Sequence, residues 1–184
     1  MNVNKSIEKG RVIYNVSFWN KFWTLLLPVF LSVLLLLFSY FVFESNYNKP
    51  DNNWFILIGS SGFFIFVIFL IILYLKIDDL SKFNGRSRSL NKKLVFQFIK
   101  ENIYQINEES NDFISVDIRV KFFGFSDFRS LTILFEGDNV YYNCVTFENV
   151  NVPNIYIMNF KSPLYWFANK NIERKFKNFL NNNS

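Results

Sequence analysis

The sequence ISVDIRVKF at residues 114–122 alternates apolar and polar side chains without interruption. Successive side chains of a β-strand point to opposite faces of a sheet, so this stretch predicts one buried row and one row that faces water. Such alternation is typical of an antiparallel sheet that is covered on one face.

Further strands are predicted on the C-terminal side of this stretch. Leu131, Ile133 and Phe135 repeat the alternation after a turn-like break at 123–127. The sequence EGDN at 136–139 suits a tight turn, and the β-rich run 140–147 follows it, which predicts a hairpin. A fourth short strand is predicted at residues 155–160.

Helices are predicted on both sides of the strands. Asn91 is a good N-cap residue, and apolar residues recur at three- and four-residue steps after it, which predicts a helix over 91–107. Ser162 followed by Pro163 predicts a second helix that ends near Leu180. The order helix, four strands, helix predicts an α+β domain over residues 90–184.

Two long stretches without a charged residue, 22–43 and 54–75, precede this domain. A helix of that length spans about 33 Å, enough to cross a hydrocarbon core of about 30 Å. They predict a transmembrane helical hairpin with a short external loop at 44–53. Tryptophan and tyrosine residues stand near the ends of both stretches, as expected at the membrane interface: Trp19, Trp23, Tyr40, Tyr47, Trp54 and Tyr74.

Lys and Arg residues are concentrated on one side of this predicted hairpin. Residues 1–21, the expected N-terminal segment, contain four, the loop 44–53 contains one, and residues 76–89, which we interpret as a basic linker, contain four more. Positively charged segments stay on the cytoplasmic side of a membrane. We therefore expect an integral protein of a bacterial inner membrane with both termini in the cytoplasm.

The second apolar stretch contains a cluster of small residues, Gly59, Ser60, Ser61 and Gly62. Small residues let helix backbones approach closely. Three interpretations are open: packing within the hairpin against Ser32 or Ser39, association between copies of the chain, and a polar pathway through the membrane. Neither stretch contains the ionisable residue that transport normally requires.

Basic residues in the linker and in both domain helices are candidates for contact with anionic lipid or phosphate. Arg86 and Arg88 alternate with Ser87 and Ser89, and they can bind a phosphate or serve only as topological charge. The stripe on the last helix can lie on the membrane or face water. The full set of candidates is Arg86, Arg88, Lys92, Lys93, Lys170, Arg174 and Lys177.

Little in the sequence indicates catalysis. The chain has no histidine and one cysteine, Cys144, which we interpret as a buried structural thiol. The acidic pairs Asp78–Asp79 and Glu108–Glu109 are interpreted as solvated turn residues. Residues 77–184 carry 14 Lys and Arg against 12 Asp and Glu, too small an excess for a nucleic-acid-binding domain. We expect no cofactor and no bound metal.

These patterns lead to two hypotheses of different classes. The first is a membrane-anchored, non-enzymatic protein whose cytoplasmic domain binds a protein or membrane-surface partner, as an assembly subunit, an adaptor or an immunity-type protein. The second is a ligand-sensing effector whose hairpins associate and permeabilise the membrane. An enzyme acting on lipid or nucleotide is a third and weaker hypothesis. The bilayer, a protein partner and further copies of the chain are the expected partners.

Overall fold

The computed structural model of the chain describes residues 1–13, 18–47, 54–122, 125–150 and 158–183. The chain divides into two compact units. The first unit contains Met1–Asn15 and Lys76–Ser184, and the second contains Val16–Leu75. The N-terminal residues therefore belong to the same unit as the predicted domain, although 60 residues separate them from it in sequence.

The second unit contains two long helices, α2 (Phe18–Tyr47) and α3 (Trp54–Lys76). Within the described residues, Ile58–Lys76 is the one stretch long and apolar enough to cross a membrane, and Val33–Ser45 is a shorter apolar helix. The helical state of both predicted stretches is confirmed, since 22–43 and 54–75 lie within α2 and α3.

The first unit is built on an antiparallel sheet of six strands among the described residues. These are β1 (Ser81–Asn84), β2 (Gln105–Glu109), β3 (Phe113–Phe122), β4 (Phe125–Glu136), β5 (Asn139–Val150) and β6 (Met158–Lys161). The strand order is β1–β5–β4–β3–β2, and β6 also pairs with β5. The predicted α+β class, with an antiparallel sheet and helices, is confirmed.

The core lies between the sheet and two helices, α4 (Arg88–Glu101) and α5 (Trp166–Asn183). Ile114, Val116 and Ile118 of the opening stretch are buried in it, as predicted. Aromatic rings from both layers meet there: the ring centroid of Phe176 lies 5.0 Å from that of Phe98 and 5.1 Å from that of Tyr142. Such contacts stabilise a core beyond the area that they bury.

The prediction that the sheet is covered on one face is wrong for β4 and β5. Leu131 and Ile133 face the core, while Thr132 and Leu134, which alternate with them, are buried as well. The sequence LTILF at 131–135 has one polar residue, and such nearly continuous apolar runs are typical of strands buried on both faces. The alternation of β3 therefore did not extend to its neighbours.

The first helix of the domain differs from its prediction. It runs over Arg88–Glu101 and starts from Ser87, whereas Asn91 is buried and its amide binds the loop before the helix. The helix ends early because Ile103 takes a positive φ of 55° and the chain then enters β2. Residues 102–107 are therefore not helical.

Three strand predictions also need correction. The predicted linker 76–89 contains β1, and β2 was not predicted, so the count of four strands is wrong. Residues 125–127 of the predicted break belong to β4, while 123 and 124 lie outside the described residues. The last strand begins at Met158, and residues 155–157 are also outside them. The predicted helix start at Pro163 is confirmed as a short 3₁₀ turn, Pro163–Tyr165, that leads into α5.

The N-terminal segment forms a short helix, α1 (Val3–Glu8), and then pairs with the residues that precede β1. The Val12 N–H donates to the Asp78 carbonyl at 2.9 Å, and the Leu80 N–H donates to the Gly10 carbonyl at 2.8 Å. No local pattern predicts this pairing, because one partner precedes α2 and the other follows α3 along the chain.

Candidate functional site

A cleft of about 380 Å³ opens on the surface of the first unit between β1 and α5. We call it the β1–α5 cleft. Its lining combines four cationic side chains with one carboxylate, one hydroxyl and one phenol: Lys82, Lys170, Arg174, Lys177, Glu173, Ser81 and Tyr142. Of these seven residues, the sequence had indicated three, Lys170, Arg174 and Lys177.

The elements of the cleft follow from local periodicity and strand pairing. On α5, Lys170, Arg174 and Lys177 recur at three- and four-residue steps and share a face. Asn169, Glu173, Phe176 and Leu180 occupy the neighbouring, buried face. Strand β1 pairs with β5 so that Ser81 lies opposite Tyr142, which places Ser81 beside the helix. The next residue, Lys82, pairs with Tyr141, and its side chain lies over that ring on the other face of the sheet.

Glu173 is the buried centre of this arrangement, with 3% of its surface exposed. Its Oε1 accepts the backbone N–H of Cys144 at 3.1 Å, and its Oε2 accepts from Ser81 Oγ at 2.8 Å and from Lys170 Nζ at 2.7 Å. A buried carboxylate is tolerated when it is paired and hydrogen-bonded in this way. Glu173 therefore holds one hydroxyl and one ammonium group at the rim of the cleft.

The backbone N–H of Cys144 is available to Glu173 because the outer edge of β5 is interrupted. Strand β1 pairs with residues 139–142 of β5, and β6 pairs with residues 147–150. Residues 143–146 lie between them and have no strand partner on that edge within the described part of the chain. Side chains take the place of a strand there, since a buried backbone group without a partner is costly.

The charge of the cleft is strongly positive. Four cations and one carboxylate give a net charge of +3, more than the whole excess of residues 77–184, which have 14 Lys and Arg against 12 Asp and Glu. Among the described residues, none of Lys82, Arg174 and Lys177 forms an ion pair with an acidic side chain. These three charges are therefore free to attract an anion.

Neighbouring groups restrict the cationic side chains. Lys82 Nζ lies 5.7 Å from the centroid of the Tyr141 ring, and Lys170 Nζ lies 5.9 Å from that of Trp166. A guanidinium nitrogen of Arg174 donates to Asn171 Oδ1 at 2.6 Å. Burial and the nearby Glu173 raise the pKa of Tyr142 to about 12, so its phenol stays neutral at physiological pH.

A second polar group lies behind the cleft. Thr146 Oγ1 donates to Asn169 Oδ1 at 2.7 Å and accepts from Arg129 Nε at 3.1 Å. Cys144 is buried beside them, which confirms the prediction of a buried thiol. Burial, and then Glu173, raise the pKa of Cys144 to about 12. A thiol of that pKa is not a nucleophile at neutral pH.

The structure separates the basic residues that the sequence marked as one set. Lys170, Arg174 and Lys177 line the cleft, whereas Arg88 donates to the Asn111 carbonyl and the Asp112 carboxylate. Lys92 Nζ donates to the carbonyl of Ser110 at 3.4 Å. Arg88 and Lys92 therefore both bind the turn between β2 and β3. Arg86 and Lys93 are exposed away from the lining of the cleft.

The acidic pairs have different surroundings. Asp78 lies in a turn and pairs with Lys161 at 2.5 Å, and the half-exposed Asp79 pairs with Arg11 at 3.8 Å, so both carboxylates have an ion-pair partner as well as contact with solvent. Glu108 and Glu109 are exposed, but they lie in strand β2 and not in a turn. Within the described residues no three acidic, Cys or His side chains converge as metal ligands would.

In the second unit, a cavity of about 340 Å³ is lined by Ser39 and Ser60 together with Ser61 and aromatic neighbours. Ser39 and Ser60 are both buried, which brings together one pair proposed for packing within the hairpin. Gly59 and Gly62 are exposed, and a Cβ added to either would meet no atom within 4 Å. The side chain of Ser32 lies outside the described residues. Association between copies stays a prediction.

Sequence reasoning missed the part of the cleft that comes from outside α5. Ser81 and Lys82 were assigned to a linker, and Glu173 was not singled out. The three-residue spacing of Lys170 and Glu173 on one helix was the only available signal. No protein-family model matches the chain, and neither curated proteins nor solved structures gave a match.

Proposed function

We propose that the chain is a membrane-anchored, non-enzymatic binding protein whose α+β domain binds an anionic protein or membrane-surface partner at the β1–α5 cleft. The observation that carries this proposal is that three cationic side chains of α5, Lys170, Arg174 and Lys177, line one cleft of a domain that is otherwise close to neutral. Binding rather than catalysis is proposed because the groups with catalytic potential are committed: Glu173 accepts three hydrogen bonds and Cys144 is buried.

The exposed surface of α3 supports the membrane anchor. Only 11% of the most apolar part of Ile58–Lys76 is buried, and Ile58, Ile65 and Leu75 are each about two-thirds exposed. The core helix of a soluble protein hides such side chains, because apolar surface in water costs about 25 cal/mol per Å². Lipid is the solvent that suits this surface.

Chain connectivity supports termini on one side of the membrane. Residues 10–12 pair with residues 78–80 inside the first unit, and the second unit is the segment between them. A folded unit cannot have a bilayer running through its backbone pairing, so the intervening segment crosses the membrane an even number of times. The excess of Lys and Arg in residues 1–21 and 76–89 favours the cytoplasm as the shared side.

Thiol labelling in cells tests the anchor and its orientation. The native Cys144 is buried and is not expected to react, so single cysteines can be added at exposed positions as Lys9→Cys, Glu44→Cys and Asn183→Cys. A membrane-impermeant maleimide should label the cysteine at 44 in intact cells, and those at 9 and 183 only after permeabilisation. Labelling of position 183 in intact cells would contradict the orientation. Extraction of the chain by alkaline carbonate would contradict the anchor.

Photocrosslinking in cells tests the binding surface. A photoreactive phenylalanine at position 177 should give a defined adduct, and the same residue at position 100, exposed on α4, is the matched control. The adduct should disappear when Arg174→Glu reverses one charge of the cleft. Mass spectrometry identifies the captured molecule as protein or lipid. No adduct at 177, or an adduct that survives Arg174→Glu, would refute the cleft as the binding surface.

A second candidate function is the ligand-sensing effector, and one observation favours it. Gly59 and Gly62 leave open space on an exposed stretch of α3, which permits close approach of another helix. Gly59→Ile with Gly62→Ile should then abolish depolarisation caused by expression, measured with a membrane-potential dye, while Ile65→Leu should not. Full polarisation of cells that express the unaltered chain, both without and with each candidate ligand, would count against this function.

A further inference from the structure

We propose that the β1–α5 cleft binds a phosphate group, carried either by a small soluble ligand or by a lipid headgroup. This inference rests on the proposed function and names the chemistry of the partner. It starts from the size of the cleft: about 380 Å³ is within the range of small-ligand sites. A concave site of this size suits a compact anionic group better than a flat acidic surface.

The electrostatics of the cleft select a multiply charged anion. Glu173 is already neutralised by Lys170 and by two further donors, so it fixes the rim and leaves little charge to repel a ligand. Arg174 and Lys177 are left without an acidic partner among the described residues. A phosphate monoester carries between one and two negative charges at pH 7 and can satisfy both of these cations together.

The geometry of the donors favours a tetrahedral group over a carboxylate. Polar groups reach the cleft from two elements, Ser81 from β1 and Arg174 and Lys177 from α5. A phosphate presents three acceptor oxygens in different directions and accepts the fork of a guanidinium, while ammonium groups act as point charges. A carboxylate has two oxygens in one plane and cannot serve both elements as well.

The helix that supplies the cations also presents an apolar group. Phe167 is 61% exposed, one turn before Lys170, and Leu164 just ahead of it is 64% exposed. Basic residues beside exposed apolar ones are typical of surfaces that meet anionic lipid. A lipid headgroup is therefore one source of the phosphate, and a soluble phosphate ester is the other.

Calorimetry on the full chain in nanodiscs of phosphatidylcholine tests the inference, with inorganic pyrophosphate as the probe. Arg174→Gln and Lys177→Gln together remove two exposed charges, each expected to contribute about threefold, so binding should weaken about tenfold. The matched control is Arg86→Gln and Lys93→Gln, which changes the net charge equally and should alter binding by less than about threefold. All four residues lie at the surface, and circular dichroism checks that both double variants fold.

Two further arms define the ligand. Citrate, whose carboxylates match the charge of pyrophosphate at pH 7, should bind at least about tenfold more weakly, since it lacks tetrahedral oxygens. Nanodiscs with added phosphatidic acid should compete with pyrophosphate if a headgroup is the natural source, and Phe167→Ser should weaken that competition alone. Absence of competition assigns a soluble phosphate ligand.

The inference is overturned if pyrophosphate does not bind, if citrate binds equally well, or if both double variants lose binding to the same extent. Each of these results leaves the proposed function separately testable. A charge-dependent protein adduct from position 177 without phosphate binding would show that the cleft binds an acidic protein instead. If neither the adduct nor phosphate binding is observed, the cleft is not a binding site.

Discussion

Replacement of Glu173 by alanine is expected to destabilise the first unit by about 3 kcal/mol. The lost carboxylate leaves the N–H of Cys144 buried without an acceptor, which costs about 1–3 kcal/mol. Ser81 and Lys170 are half-buried and can turn to water, so each adds about 0.5–1 kcal/mol. Glu173→Gln keeps an acceptor for the backbone N–H, and we expect it to lower the free energy of unfolding by about 1–2 kcal/mol.

Cys144 provides the assay, because its thiol is buried when the first unit is folded. Pulse alkylation of the full chain in detergent at rising urea, read by mass spectrometry, reports the unfolding of this unit. With a slope of about 2 kcal/mol per M urea, Glu173→Ala should lower the midpoint by about 1.5 M. The control Glu101→Ala removes an exposed helix pair with Gln97 worth about 0.2–0.5 kcal/mol. A midpoint within about 0.3 M of the unaltered chain would refute the role assigned to Glu173.

Substitution of Glu173 by glutamine is expected to lower stability but to strengthen anion binding. Glu173→Gln removes one negative charge from the cleft, and a unit charge at about 6 Å in a water-like medium contributes about 0.7 kcal/mol. Pyrophosphate should therefore bind about threefold more tightly to Glu173→Gln, although the variant is less stable. Weaker binding in a folded variant would show that the carboxylate helps to hold the anion.

Three other predictions concern groups outside the cleft or behind it. Because burial and Glu173 raise the pKa of Cys144 to about 12, about 10⁻⁴ of it is thiolate at pH 8, and iodoacetamide should label the folded chain at least about 1000-fold more slowly than the unfolded chain. Asn91→Ala removes three hydrogen bonds of a buried amide and should lower the free energy of unfolding, measured from the urea midpoint, by about 2–3 kcal/mol. The control Lys93→Ala should lower it by less than about 0.5 kcal/mol. Burial raises the pKa of Asp117, so its charged form destabilises the folded state above that pKa and not below it. Asp117→Asn should then raise the urea midpoint at pH 7 but not at pH 3, and an equal shift at both would contradict this assignment.

Elements with strong local patterns were predictable. The alternation at 114–122 identified β3, and the Ser162–Pro163 pair identified the start of the last helix. Both signals work because side-chain periodicity and capping depend on neighbours within a few residues. The same reasoning failed at the first helix, where Asn91 looks like a cap but bonds to a loop and to the carbonyl of Asp138.

Strands that depend on distant partners were not predictable. The four residues SKFN of β1 resemble a linker in isolation, and they become a strand by pairing with residues 139–142 of β5. The N-terminal residues are a stronger example, since residues 10–12 find their partners at 78–80. A short segment has little intrinsic preference, and the tertiary partner decides its structure.

By itself the sequence determined the uncharged helical stretches, the α+β class and the positive charge of the last helix, because each depends on residues that are close together in the chain. Only the tertiary structure brought Ser81 and Tyr142 to that helix and buried Glu173 beneath them. About 90 residues separate Ser81 from its partner Glu173. Charge and periodicity are local properties of a chain, whereas a binding cleft is made by packing between segments that are far apart along it.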